Sequence, residues 1–276
     1  EVSLYTIGWI HFQKKEYTQS IAQYNFVVSK YPQTKLEPII YYSIGDAQFN
    51  MEKYDSAIVN YEKVLSQFPS SPYVFDAVTG IQYSYVAKGN PEKAVSFLGE
   101  FVSKNPGLSY ADQLLFKKGE IYYSLRQYDK AKPQIDSYLA DPKNASRGEG
   151  WYYKAFIYNS LGRVDKIPVL EAKNLYKISY DAIKKYAELD SKVPLTKEDN
   201  NSTIFSLYEG FFDLGLKTIN DKNYAESFDC FKTALIIHDY IYEKGIIGFN
   251  NFKFSALDTS IVWNLALIAN ELKQKD

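Results

Sequence analysis

A 37-residue recurrence is the feature that most constrains how this chain can fold. The segment 41–69 reads YYSIGDAQFNMEKYDSAIVNYEKVLSQFP, and its spacing of large and small residues returns 37 residues earlier, with Gly8 matching Gly45 and Pro32 matching Pro69. Gly45 is small enough for a second helix to approach the first, and Pro69 ends that second helix because proline has no amide hydrogen to donate. The pattern predicts antiparallel pairs of short helices, repeated along an all-α chain.

Numbering each unit so that its glycine is the eighth residue places Tyr41 at position 4, Ala57 at position 20 and Tyr61 at position 24. This pattern resembles the tetratricopeptide repeat (TPR) family. The resemblance implies a right-handed α-α superhelix of helix hairpins that binds other proteins. Units of this family have about 34 residues, so three extra residues lie between successive hairpins here.

The longer units carry junctions that read YPQTKLEPI, FPSSPYVFDA and NPGLSYADQ. They resemble units of bacterial envelope TPR proteins, namely the periplasmic coordinator of the Tol-Pal system and the lipoprotein of the outer-membrane β-barrel assembly machine. The resemblance covers residues 1–164 and implies a periplasmic or outer-membrane-associated protein. The sequence opens at Glu1 and its one methionine is Met51, so we expect any signal peptide or lipid anchor to lie outside it.

The repeat pattern divides the chain into two regions. Residues 1–164 form five TPR-like hairpins, of which the third departs by carrying Gln82 where the glycine belongs. Residues 165–276 form a divergent helical region. It is predicted to contain one long helix over 168–192, a polar loop over 193–202, a further hairpin around Gly215, and a last helix over 257–272 that leaves the final repeat unfinished.

Composition excludes several classes of function. The 32 basic and 33 acidic residues give a formal net charge of -1, so we expect no nucleic-acid partner. The single cysteine, Cys230, excludes an internal disulfide and a thiolate metal cluster. No apolar run approaches the roughly 20 residues that a transmembrane helix needs. Aromatic residues make up 17 % of the chain, with 26 Tyr and 17 Phe, and tyrosine keeps a polar end that suits a binding surface.

The family resemblance implies that positions 2, 5, 9, 12 and 13 of each first helix face a concave groove that binds a partner protein or peptide. In this sequence those positions are mostly aromatic, with scattered acids. The predicted partner-binding residues are Tyr5, Trp9, Phe12, Tyr42, Asp46, Phe49, Asp76, Tyr83, Phe116, Glu120, Tyr123, Tyr152 and Phe156. The alternative for each aromatic is packing between neighbouring helices, since a stripe at helical spacing is usually core.

None of these positions carries lysine or arginine. A clamp for a C-terminal carboxylate, as the chaperone-binding members of the family have, is therefore not expected. Neutral or basic anchors on the partner are favoured over acidic tails.

No catalytic, metal or cofactor site is predicted, and the chain is not expected to be an enzyme. The two histidines, His11 and His238, are far apart in the sequence, and neither has an acidic neighbour at a spacing that a helix would place beside it. Asp136 and Asp141 fit a helix end and its turn. Two alternatives to the groove-binding scaffold remain: a structural subunit of a membrane-associated machine that docks through its convex face or its long helix, and a helical enzyme domain.

Overall fold

The computed structural model describes residues 1–273, which form fifteen α-helices, one short 3₁₀ turn at Phe249–Asn251 and no strand. The all-α fold predicted from the repeat is therefore confirmed. The helices are α1 (Val2–Gln13), α2 (Tyr17–Lys30), α3 (Glu37–Asn50), α4 (Tyr54–Gln67), α5 (Val74–Ala87), α6 (Pro91–Lys104), α7 (Ala111–Ser124), α8 (Tyr128–Ala140), α9 (Pro142–Ala145), α10 (Gly148–Gly162), α11 (Val169–Leu189), α12 (Pro194–Glu198), α13 (Ser202–Asn220), α14 (Tyr224–Glu243) and α15 (Thr259–Lys273).

The chain separates into two compact units, Glu1–Ile121 and a second that begins at Tyr122. The units therefore divide inside α7, whereas the repeat pattern places the change of region at residue 164. Residue 164 lies in the connection between α10 and α11, which pack against each other. Dividing the chain at residue 164 would separate the paired helices α10 and α11.

Hairpins in the first unit close around a tyrosine of the second helix. The ring of Tyr61 lies between Gly45 of its own hairpin and Gly80 of the next, and a Cβ at either glycine would come within 2.6 Å of that ring. Tyr24 lies against Gly8 in the same way. Because the backbone must approach an aromatic ring this closely, only glycine fits at these positions. The third hairpin has Gln82 and Leu98 at the corresponding positions, and both are buried.

A buried serine on the second helix occurs in one hairpin of the first unit and in two helix pairs of the second, whereas Ala57, Ala94 and Ala131 hold this position elsewhere. Ser20 donates a hydrogen bond from Oγ to the carbonyl oxygen of Gly8 at 2.8 Å, and Ser227 donates one to that of Gly215 at 2.7 Å, each across 12 residues. Ser179 of α11 donates the same bond to Ala155 of α10 at 2.6 Å, across 24 residues. The long helix is therefore the second helix of the fifth hairpin.

The sequence analysis treated this helix as a departure from the repeat because α11 starts at Val169, well before Ser179, whereas α2 starts at Tyr17, close to Ser20. Its extent, Val169–Leu189, agrees with the prediction of one long helix. The polar loop predicted over 193–202 contains the short helix α12, and the last helix spans Thr259–Lys273. The final three residues of the predicted region lie outside the described part of the chain.

Candidate functional site: an aromatic groove in the first unit

Two adjoining cavities open along the first helices of the first unit. The α1–α3 cavity has a volume of about 180 Å³ and is lined by Tyr5, Trp9, Phe12, Tyr24, Ile39, Tyr42, Ser43, Asp46 and Tyr73. The α3–α5 cavity has a volume of about 200 Å³ and is lined by Tyr42, Asp46, Phe49, Tyr61, Phe75, Asp76, Thr79, Gly80 and Tyr83. The two cavities share Tyr42 and Asp46, and together they are called the groove below.

Helical spacing explains why these side chains gather. Tyr5, Trp9 and Phe12 lie four and three residues apart and so share one face of α1, as Tyr42, Asp46 and Phe49 do on α3. Trp9 and Tyr83 are each 48 % exposed, whereas the others are partly buried apart from Asp76, which is exposed. The structure thus brings eight of the predicted residues into one groove; that they bind a partner stays a prediction.

Ring contacts hold the groove walls in fixed positions. The Tyr42 ring packs against Tyr61 and Tyr73, with centroids 5.8 Å and 6.1 Å apart. Phe49 makes an edge contact with Tyr54 at 5.4 Å, and Phe75 makes one with Tyr110 at 5.2 Å. Such contacts add about 0.5–1.5 kcal/mol each beyond burial, so the groove is a preformed surface.

Asp46 is the polar centre of the groove. The Tyr61 hydroxyl donates a hydrogen bond to Asp46 Oδ1 at 2.6 Å. Burial raises the pKa of the Asp46 carboxyl, and the nearby negative charge of Asp76 raises it further, while the Tyr61 hydrogen bond acts in the opposite direction. Burial also raises the pKa of Asp76. Within the described residues, neither carboxylate forms an ion pair.

Lys117 lies against one wall of the α3–α5 cavity. Its Nζ lies 5.7 Å from the centroid of the Tyr83 ring and 3.4 Å from Oε2 of Glu120. Burial is the largest influence on the pKa of Lys117 and would lower it, but the charges and hydrogen bonds of Glu120 and Tyr83 together raise it. Glu120, predicted as a groove residue, is therefore paired with a lysine that lies outside the family's groove positions.

The remaining predicted residues lie elsewhere. Phe116 is only 6 % exposed and belongs to the interior, so the packing alternative holds there. Tyr152, in the second unit, is also buried, and its hydroxyl donates to Asp199 Oδ2 at 3.2 Å. Tyr123 and Phe156 pack together in that unit with ring centroids 4.8 Å apart.

Sequence reasoning missed four aromatic residues of the groove. Tyr24 and Tyr61 occupy position 24, which the repeat assigns to the core, yet the Tyr61 hydroxyl reaches the groove and bonds to Asp46. Tyr73 and Phe75 come from the extended junction FPSSPYVFDA. The aromatic character of that junction was the sequence signal that could have placed Tyr73 and Phe75 in the groove.

Two predictions about polar residues were wrong. Nδ1 of His11 lies 2.6 Å from Oε2 of Glu16, because the turn after α1 returns a residue five positions later to its side. Asp136 is not at a helix end; it lies within α8 and accepts a hydrogen bond from the Tyr158 hydroxyl at 2.6 Å. Two of its partners, Lys154 and Tyr158, come from the first helix of the next hairpin, and sequence spacing alone does not predict these contacts.

The second unit has a larger cavity of its own, of about 660 Å³. Its lining residues are Arg163, Asp199, Asn200, Ser202, Phe205, Ser206, Glu209, Gly248, Phe249 and Phe252. Arg163 is already paired with Glu209, with Nη2 and Oε2 3.0 Å apart. The sequence analysis missed this cavity, and three of its lining residues, Asp199, Asn200 and Ser202, fall in the segment predicted to be a polar loop.

Comparison with known proteins agrees with the fold. The family model described as outer membrane lipoprotein (YfiO) matches residues 37–146, a range that contains every residue lining the α3–α5 cavity. A comparison with curated proteins gave no match.

Among solved structures, a tetratricopeptide repeat protein from Parabacteroides merdae is similar over 97 % of this chain and 98 % of its own, with 15 % identity and a TM-score of 0.50. A MamA protein has 17 % identity over 82 % of this chain and 100 % of its own, with a TM-score of 0.43. A thermophilic TPR protein from Thermus thermophilus has 20 % identity over 68 % and 97 %, with a TM-score of 0.40. The first of these supports a shared fold. No helix in the described range is both long and apolar enough to cross a membrane.

Proposed function

Because the chain has the fold of a tetratricopeptide repeat protein, we propose that it is a non-catalytic scaffold that holds a segment of a partner protein in the groove of its first unit. The observation that carries this proposal is the pair of adjoining cavities walled by ten aromatic side chains. Rigid aromatic surfaces bury a large area at a small loss of conformational entropy, which is typical of binding sites for extended or helical peptides.

The proposed assembly belongs to the bacterial cell envelope. Support comes from the similarity of residues 37–146 to an outer membrane lipoprotein family and from the extended junctions between hairpins. The partner is accordingly a periplasmic or outer-membrane protein.

Trp9 and Phe49 are the anchors expected to contribute most to affinity. They line different cavities of the groove, and Trp9 presents a large exposed ring. Truncation of a central aromatic anchor typically weakens binding by about 2 kcal/mol. The two residues lie in different cavities, so their effects should largely add.

Site-specific photo-cross-linking tests the groove. The intact chain would carry p-benzoylphenylalanine at position 9, 83 or 59 and be incubated with envelope extract of the source bacterium. Positions 9 and 83 line the groove, whereas Val59 is an exposed residue of α4 that lines neither cavity. We expect one adduct of the same mass at positions 9 and 83, none at position 59, and loss of the adduct at position 83 when Trp9→Ala and Phe49→Ala are combined.

An adduct at position 83 that persists in the double variant, with the fold intact by circular dichroism, would show that Trp9 and Phe49 do not anchor the partner, and equal adducts at positions 9, 83 and 59 would contradict binding in the groove. A further label at Leu170, which is 64 % exposed on α11, tests docking through the long helix. An adduct there with none at positions 9 and 83 would favour the structural-subunit alternative. The intact chain is required because a cut at residue 164 separates α10 from α11.

A further inference from the structure

The α3–α5 cavity combines aromatic walls with two carboxylates. Five of its nine lining residues are aromatic, and the two charged ones are Asp46 and Asp76. The lining contains no lysine, arginine or histidine. Its negative charge is therefore not neutralised from within the cavity.

This combination favours a cation over other ligands. The faces of aromatic rings carry negative potential and attract ammonium and guanidinium groups. Asp46 is held in place by the Tyr61 hydroxyl, so one fixed carboxylate faces any group that enters. An acidic group would meet two like charges, and a purely apolar group would leave Asp46 desolvated without a counter-charge.

The volume of the α3–α5 cavity limits the size of the group that it can bind. A volume of about 200 Å³ is smaller than the 300–1,000 Å³ typical of sites for drug-sized molecules. It admits one side chain rather than a folded element. Lys117 does not fill it: that lysine is held by Glu120 and is not among the lining residues.

We propose that the α3–α5 cavity binds the cationic end of a lysine or arginine side chain on the partner segment, between its aromatic walls and the carboxylates of Asp46 and Asp76. This inference rests on the proposed function of the groove and specifies what that groove recognises. The α1–α3 cavity, which has six aromatic residues and only the shared Asp46, would take an apolar anchor of the same segment.

The test uses n-butylammonium chloride, an analogue of the lysine side chain, with 1-butanol as the neutral analogue and sodium chloride to match ionic strength. The full chain labelled with ¹⁵N is titrated and the amide shift of Gly80, in the cavity wall, is followed, with Gly99 of α6 as a position outside the cavity. We expect a saturable shift at Gly80 with n-butylammonium and none with 1-butanol.

Charge-removing variants locate the site. Asp46→Asn and Asp76→Asn should each weaken n-butylammonium binding by about fivefold or more. Asp76 is exposed, so its variant keeps the test decisive even if Asp46→Asn unfolds. The matched control is Asp55→Asn, which removes the same charge from an exposed pair with Lys88 and should leave binding unchanged.

The inference is overturned if n-butylammonium causes no saturable shift at Gly80, if 1-butanol causes the same shift, or if Asp76→Asn binds as tightly as Asp55→Asn. Failure of the groove model is distinguishable from failure of this inference. Partner cross-linking that requires Trp9 and Phe49 but is unchanged by Asp76→Asn would retain the groove and reject the cation site.

Discussion

At the scale of single residues, the clearest constraint is the contact between Gly45 and the Tyr61 ring. A Cβ at position 45 would lie 2.6 Å from Cε1 of Tyr61, and that ring cannot move away because Gly80 lies against its other side. We expect Gly45→Ala to lower the free energy of unfolding by about 1–3 kcal/mol, as overpacking of a core does. Urea denaturation followed by circular dichroism measures the change.

The control is Gly99→Ala in α6, where the atom nearest to an added Cβ is the flexible Lys118 Nζ at 3.3 Å. Here alanine should be neutral or stabilising by up to about 1 kcal/mol, because it favours a helix more than glycine does. Equal destabilisation by both variants would mean that the contact with Tyr61 is not what requires glycine at position 45.

The two partly buried carboxylates Asp46 and Asp136 should respond to pH in opposite directions. Burial raises the pKa of Asp46 in the folded state, so the ionised carboxylate destabilises the fold. Protonation of Asp46 removes this destabilisation as the pH falls through the raised pKa of the folded state. Burial would also raise the pKa of Asp136, but its hydrogen bond from Tyr158 and the charges of Lys154 and Lys132 lower it. Asp136 therefore stabilises the fold above its unfolded pKa, and this stabilisation is lost as the pH falls toward the folded value.

Unfolding free energies of the unsubstituted chain, Asp46→Asn and Asp136→Asn would be compared from about pH 7 to about pH 2, because the stabilisation by Asp136 is lost below its ordinary carboxyl pKa. The stability of the unsubstituted chain relative to Asp46→Asn should rise as the pH falls, and its stability relative to Asp136→Asn should fall. The same trend for both variants would contradict the opposite environments of the two carboxylates.

At the scale of helices, a buried serine bond recurs in the pairs α1–α2, α10–α11 and α13–α14. Ser179→Ala removes the bond from α11 to the Ala155 carbonyl and leaves that buried acceptor without it, so we expect a loss of about 1–3 kcal/mol in unfolding free energy. Ser227→Ala should give a similar loss, because its bond to Gly215 is equivalent. Ser137→Ala, at an exposed position of α8, is the control and should change stability by less than about 0.5 kcal/mol. A Ser179→Ala variant as stable as this control would remove the argument that α11 belongs to the fifth hairpin.

The same helices show how far sequence alone could reach. Pattern matching found the hairpins of the first unit because their glycine, serine or alanine, and aromatic positions recur at fixed spacing, and it placed the groove residues of α1 and α3 for the same reason. It missed the pairing of α10 with α11, because 24 residues rather than 12 separate Ala155 from Ser179. It also missed the role of Tyr61, since a spacing rule assigns the residue to the core and does not say where its hydroxyl lies.

At the scale of the whole molecule, the two compact units should respond separately to equivalent damage. Gly45 and Gly215 hold the same place in the first and second unit: an added Cβ would lie 2.6 Å from the Tyr61 ring in one and 2.7 Å from the Phe231 ring in the other. In repeat proteins each hairpin is stabilised mainly by itself and its neighbours, so local damage raises local opening rather than opening throughout.

Hydrogen exchange with mass spectrometry measures this directly. Gly45→Ala should speed amide exchange in α3, α4 and α5, which pack together, and leave α13 and α14 unchanged. Gly215→Ala should do the reverse, so each variant is the control for the other. Because opening free energies fall by about the 1–3 kcal/mol expected of overpacking, exchange in the affected helices should accelerate by roughly 5-fold to more than 100-fold. Acceleration of equal size in all these helices from either substitution would show that the chain opens as a single cooperative body.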